Sequence, residues 1–128
     1  MQAAAITIND GLATPVARTF NPDSITPALS VFSERSSGVA LTFKRLTVAT
    51  QMASGRTEVN RAKYSVALPV GTTVNGVTSL AYTLRANVEV ILPDGCTDAE
   101  RKDLYAFLTN GLNHASVKAA VRDLDPLY

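Results

Sequence analysis

Residues 80–92 read LAYTLRANVEVIL. Leu80, Tyr82, Leu84, Ala86, Val88, Val90 and Leu92 fall on one parity, and Ala81, Thr83, Arg85, Asn87 and Glu89 fall on the other. A side-chain period of two belongs to a β-strand with one apolar and one polar face. The apolar parity demands a core, and the polar parity, with its Arg and Asn, demands a use. The same alternation recurs upstream. In KRLTVATQM (44–52), Arg45, Thr47, Ala49 and Gln51 oppose Leu46, Val48, Thr50 and Met52. In NRAKYSVAL (60–68), Arg61, Lys63, Ser65 and Ala67 oppose Ala62, Tyr64, Val66 and Leu68.

The remaining chain extends this pattern in both directions. Ala4–Asn9 and Leu12–Phe20 flank Asp10-Gly11, a dipeptide suited to a tight hairpin. After the break at Asn21-Pro22-Asp23 come strands over Ala28–Glu34 and Val39–Met52, then the turn Ala53-Ser54-Gly55 and a strand over Glu58–Val70. Gly71, Thr72, Thr73, Val74, Asn75, Gly76 and Val77 carry no charge and read as a loop. Short turns between six or seven strands predict an antiparallel meander. At Pro93-Asp94-Gly95 the period changes. Thr97 and Glu100 form a capping box, and Leu104, Phe107, Leu108 and Leu112 repeat at helical spacing behind it. Gly111 marks an end or a kink. Asn113 is the expected cap of a second helix through about Arg122, with Val117, Ala120 and Val121 inward. The class is α+β, a main sheet followed by two C-terminal helices.

At 128 residues the chain suits one domain with a core of ordinary size. The expected division is a hairpin over 1–20, a main sheet over 28–92 and helices over 97–122. A hydrophobic content of 46% excludes a mostly disordered chain. Charged residues are only 18%, against roughly 25% in typical soluble domains, which fits a surface covered by copies of itself. Geometry points the same way. Five strands span about 24 Å, whereas one helix covers about 10 Å, so two short helices leave apolar sheet uncovered. A second copy whose helices cross the sheet, and the reverse, is the economical cover.

Several functions are disfavoured. No apolar run approaches the roughly 18 residues of a membrane span, and MQAAAITIND has no basic leader segment, so neither membrane partner nor signal peptide is expected. The single cysteine, Cys96, excludes a disulfide framework within one chain and an all-cysteine metal site. No phosphate-binding loop or dinucleotide fingerprint occurs. His114 has no ligand cluster beside it and reads as a capping or surface residue. Cys96, at a helix entrance, lacks a base partner. No cofactor, metal or catalytic group is expected.

Charge is unevenly distributed. Residues 35–93 hold seven Lys or Arg against two acids, a balance of +5, while 1–34 and 94–128 each come to −2. Strands carrying Arg45, Thr47, Gln51, Arg61, Lys63, Ser65, Thr83, Arg85 and Asn87 on one parity could gather cations, hydroxyls and amides on one surface. Cations suit phosphates, and Asn, Gln, Ser and Thr reach base edges. An ordinary solvated sheet face has the same composition, and the two readings stand level on composition alone.

Motif order separates them. RLTVATQMASGRT (45–57), NRAKYSVALPV (60–70), LRANVEVILP (84–93) and TDAERKDLYAFLTNGL (97–112), with the hairpin at Asn9-Asp10-Gly11 and a C-terminal Tyr128, occur in the order of one family. The chain resembles the coat proteins of small single-stranded RNA bacteriophages of the levivirus type. The resemblance implies a homodimer with a continuous sheet and interlocked helices, Leu104, Phe107, Leu108, Val117 and Val121 in the dimer core, and dimers assembled into an icosahedral shell in the bacterial cytoplasm. It also implies single-stranded genomic RNA on the inner sheet face. Thr47, Lys63 and Asn87 match RNA-facing positions, with Arg45, Gln51 and Arg85 as neighbours. Several relatives repress replicase translation through an RNA hairpin. Ala49 stands where a family hydroxyl often holds an unpaired adenine, and Ala62 is an extra residue between Arg61 and Lys63; both depart from the hairpin pocket. The segment Gly71–Val77 matches the loop that meets its copies between dimers, without the cysteines that bridge subunits in some relatives. A stand-alone dimeric RNA-binding regulator is the alternative, and a small α+β enzyme at a dimer interface is the third.

Overall fold

The computed structural model describes residues 4–54 and 58–127. Gly55 of the expected turn, Arg56 and Thr57 of the RLTVATQMASGRT match, Met1–Ala3 and Tyr128 lie outside them. The chain divides into two compact units, one ending at Ile91 and one beginning at Leu92.

The first unit is an antiparallel sheet with strands in sequence order: β1 (Ile6–Asn9), β2 (Ala17–Ile25), β3 (Leu29–Glu34), β4 (Lys44–Gln51), β5 (Val59–Val74) and β6 (Val77–Pro93). Register puts one apolar row across it. Ile6 pairs with Phe20, Phe32 with Leu46 and Leu46 with Val66. Phe20, Phe32 and Leu46 form the buried cluster, with Ile6, Val48 and Val66 packed against it. Because side chains alternate between faces, this row commits the even-numbered residues of β4 and β5 to the apolar face and the odd-numbered ones to the other. Among the described residues, the polar side chains of Ser33 and Glu34 are also buried, and both are satisfied. Ser33 Oγ accepts from Arg35 Nε at 3.1 Å, and Glu34 Oε1 accepts from the Ser36 N–H at 2.9 Å. The Ser36 hydroxyl and N–H, with Lys44 and Arg18 nearby, hold the Glu34 carboxyl below its ordinary value against the opposing effect of burial.

Several strand boundaries differ from the sequence expectation, each for a local reason. The β1–β2 connection is not a two-residue turn at Asp10-Gly11. The Asp10 carboxylate accepts from the N–H groups of Leu12 (3.2 Å) and Val16 (3.0 Å) and from Arg18 Nε (3.2 Å), organising a longer loop that holds Leu12–Val16 out of the strand. β2 runs straight through Asn21-Pro22-Asp23, because a register shift between Pro22 and Ser24 absorbs the proline's missing donor. Ala40–Thr42 is a 3₁₀ turn, so β4 starts only at Lys44.

The expected loop at Gly71–Val77 is mostly strand. Its β-branched Thr72, Thr73 and Val74 continue β5, and only Asn75-Gly76 turns, with φ of +52° and +77°. Positive φ at both central residues is the hairpin geometry that Asn-Gly favours. The hydroxyls of Thr73 and Thr78 meet at 3.2 Å across it.

The second unit holds α1 (Asp98–Asn113) and α2 (Ala115–Arg122). Thr97 caps α1: its Oγ1 accepts the Glu100 N–H at 3.2 Å and donates to Glu100 Oε1 at 3.0 Å. The carboxylate thus returns to the cap hydroxyl, a variant of the expected box. His114, not Asn113, caps α2, its Nδ1 accepting the Ser116 N–H at 3.3 Å. Neither helix has a buried residue among those described; Phe107 is 76% exposed and Val121 63%.

Candidate nucleic-acid interface

The odd-numbered face of β4 and β5 is built pair by pair. Arg45 lies opposite Ala67, Thr47 opposite Ser65, Ala49 opposite Lys63 and Gln51 opposite Arg61. Directly opposed residues hold their Cβ atoms about 4.5–5.5 Å apart, so these eight form two adjoining columns on one surface. On the other side of β4, β3 contributes Ser33 opposite Arg45 and Val31 opposite Thr47. Lys63, Ser65, Asn87 and Glu89 line one shallow groove, which brings β6 onto the same surface through its odd parity. Thr83 and Arg85 lie earlier on β6 in that parity, Thr83 half-buried and Arg85 exposed.

Two acids shape the electrostatics. Glu89 Oε1 pairs with Arg61 Nη1 at 3.0 Å, and Oε2 lies 3.9 Å from Lys63 Nζ. At the β2–β3 end, Asp23 is held below its ordinary carboxyl value by the Ser33 hydroxyl and the Arg35 guanidinium, with a smaller contribution from Arg45. Arg35 lies over the Phe43 ring, 5.5 Å from its centroid. The surface is therefore a field of cations and small polar groups with an acid in the middle and another at one end. Such a surface supplies phosphate ligands and hydrogen-bonding groups; no cluster of three or more His, Cys, Asp or Glu side chains fit to hold a metal occurs among the described residues.

The parity of β4, β5 and β6 is legible in the sequence, and it puts Glu89 on the polar face beside Asn87; the pairing of Glu89 with Arg61 and Lys63 is not legible there.

An antiparallel six-stranded meander followed by two helices, with one cation-bearing face, defines a class of α+β sheet proteins. The model of the levivirus coat protein family matches residues 1–128, so the chain belongs to that family. It is a capsid protein with a structural role, and its place is the virion. Among solved structures, the virus-like particle of bacteriophage ESE058 is 26% identical, with 100% of both chains covered and a TM-score of 0.89. The virus-like particle of Beihai levi-like virus 21 is 28% identical over 100% of this chain and 99% of that one, also at 0.89. The bacteriophage GA capsid protein, 14% identical over 98% and 97% of the two chains, shares the fold at a TM-score of 0.74. Among curated proteins no relative matches the sequence.

Proposed function

We propose that this coat protein acts as a homodimer that assembles into an icosahedral shell and contacts single-stranded genomic RNA through the polar face of β4, β5 and β6. One observation carries the RNA half. Thr47, Gln51, Arg61, Lys63 and Ser65 stand in adjacent in-register columns on the face opposite the Phe20–Phe32–Leu46 cluster. Phosphates are met by Arg45, Arg61, Lys63 and Arg85, and bases by Thr47, Gln51, Ser65, Thr83 and Asn87. Ala49, opposite Lys63, offers no hydroxyl to a flipped base. Repression through a replicase hairpin therefore rests on Asn87 and its neighbours.

Exposed apolar side chains support the dimer half. Leu104, Phe107 and Val121 on the helices, and Leu80, Tyr82 and Leu84 on the edge strand β6, are all at least 42% exposed in the single chain. A long free edge strand is a template for pairing with another chain. A second copy supplies both an edge for β6 and a cover for the helices' apolar sides, with Leu108 and Val117 joining that core. The hairpin tip at Gly71–Val77 then meets its copies between dimers.

Filter binding of wild type, Arg61→Gln, Lys63→Gln and Asn87→Ala against an RNA hairpin library, over a range of salt, tests the RNA half. Loss of either cation weakens every RNA alike and reduces the salt slope by roughly one counterion. Loss of Asn87 erases preference among hairpins, at about 1–3 kcal/mol by analogy with groove readout. Salt-insensitive binding that survives removal of both cations would mean that another face binds RNA. Size exclusion separates the shell-forming protein, eluting as megadalton particles, from a stand-alone dimeric regulator.

A further inference from the structure

We infer that Arg35, laid over the ring of Phe43, is a stacking shelf for one unpaired RNA base, outside the β4–β6 surface. This rests on the assignment of the polar face to RNA and adds a subsite where β2, β3 and β4 meet. Arg35 follows directly on β3 and Phe43 directly precedes β4, so the two stand at the two ends of one connection. Phe43 has extended backbone, φ −65° and ψ 127°, so it continues the alternation of β4 and shares the parity of Arg45 and Thr47. Ser33, which Arg35 bonds, lies opposite Arg45 on that same face.

The guanidinium is held on three sides. Its Nε donates to Ser33 Oγ at 3.1 Å, its Nη2 donates to Asp23 Oδ1, and its carbon centre lies 5.5 Å from the Phe43 centroid. Two bonded edges and one face on a ring fix the plane. The Arg35 side chain is still 59% exposed, which leaves the opposite face to solvent. Asp23 balances its charge, so the site offers a flat, weakly hydrated plane rather than a lone cation. Arginine planes and aromatic rings stack unpaired bases, and a plane ordered beforehand loses little freedom when the base arrives. Arg45, beside Ser33, supplies a cation for the phosphate of the stacked nucleotide. An arginine that only tied β3 to β4 would not distinguish a base from its absence.

Arg35→Lys keeps the charge and loses the plane. Its affinity for an oligoadenylate and for an abasic ribose-phosphate oligomer of equal length is measured by filter binding across salt. Wild type, Phe43→Leu and the Arg61→Gln/Lys63→Gln double variant are measured beside it. Stacking predicts that Arg35→Lys binds oligoadenylate roughly five- to a hundredfold more weakly, the size of one base stacked on a side chain, with an unchanged salt slope. The abasic oligomer binds as it does to wild type, which also shows that the variant is folded. Phe43→Leu, which takes away the ring beneath the guanidinium, shows the same pattern to a smaller extent. No loss in Arg35→Lys, or an equal loss on both oligomers, overturns the shelf; the RNA face stands if the double variant still weakens both. Binding indifferent to every variant overturns both readings. Misassembled particles from Arg35→Lys with oligoadenylate binding unchanged would assign the shelf to a contact between dimers and overturn its RNA role.

Discussion

Phe107→Ala separates a chain that folds alone from one completed by a second copy. Within the single chain Phe107 is 76% exposed. An aromatic side chain buries about 200 Å² when fully covered, so the chain itself covers roughly 50 Å² of it, worth about 1 kcal/mol. That is all the substitution would remove from an independent monomer. In the core of a dimer the same truncation costs about 3–5 kcal/mol, and a twofold assembly carries it twice, about 6–10 kcal/mol per dimer. The roughly 1 kcal/mol per chain that the monomer itself loses cancels, leaving about 4–8 kcal/mol for association; each 1.4 kcal/mol is tenfold in dissociation constant, so dimer affinity should fall by about three orders of magnitude or more. Sedimentation equilibrium and urea unfolding at several protein concentrations read both quantities. A dimer of unchanged affinity, with a stability loss no larger than about 1 kcal/mol, would refute the interlocked-helix argument.

Other expectations follow from particular residues. Leu46, 1% exposed at the centre of the apolar row, should cost about 2–5 kcal/mol when truncated to Ala, read from urea unfolding. Deleting Thr72–Gly76 removes a hairpin tip that carries no charge, and should leave stable dimers that electron microscopy finds unassembled or misassembled; normal shells would exclude the tip from assembly. Asp10 is held below its ordinary carboxyl value of 3.8 chiefly by the Val16 N–H, with Leu12 and Arg18 adding to it. A depressed carboxyl stabilises the loop above the unfolded value and loses that contribution as pH falls through the folded one. NMR shifts of the Leu12 and Val16 amides should therefore titrate with a midpoint below the ordinary value of 3.8, and Asp10→Ala should abolish that titration.

Strand parity was the legible part. Leu46, Val48 and Val66 inward, with Thr47, Lys63 and Ser65 on the other face, could be read from alternation alone because the period of two leaves one choice of face. Motif order carried the family. What alternation could not reveal was local backbone chemistry. Gly71–Val77 looked like a loop because Gly and Thr without charge break the apolar/polar rhythm, yet a strand needs only extended backbone, and Asn75-Gly76 alone performs the turn. Pro22 looked like a break because proline interrupts a regular ladder, but a bulge tolerates it. The Asp10 carboxylate, by binding two backbone donors, displaced the tight turn that Asp10-Gly11 advertised. His114 replaced Asn113 as a cap because ring nitrogen accepts a backbone N–H as an amide oxygen does. Alternation puts Glu89 on the polar face, but its two ion pairs cross from β6 to β5 and depend on a register that alternation alone does not give.

Electron cryomicroscopy of the purified recombinant protein should show closed icosahedral particles in which the Arg45–Gln51, Arg61–Ser65 and Thr83–Asn87 surface lines the interior against RNA density, with the helices outward and crossed over a second copy. Particles with that surface facing outward, or sealed between subunits away from RNA, would contradict the proposed RNA face.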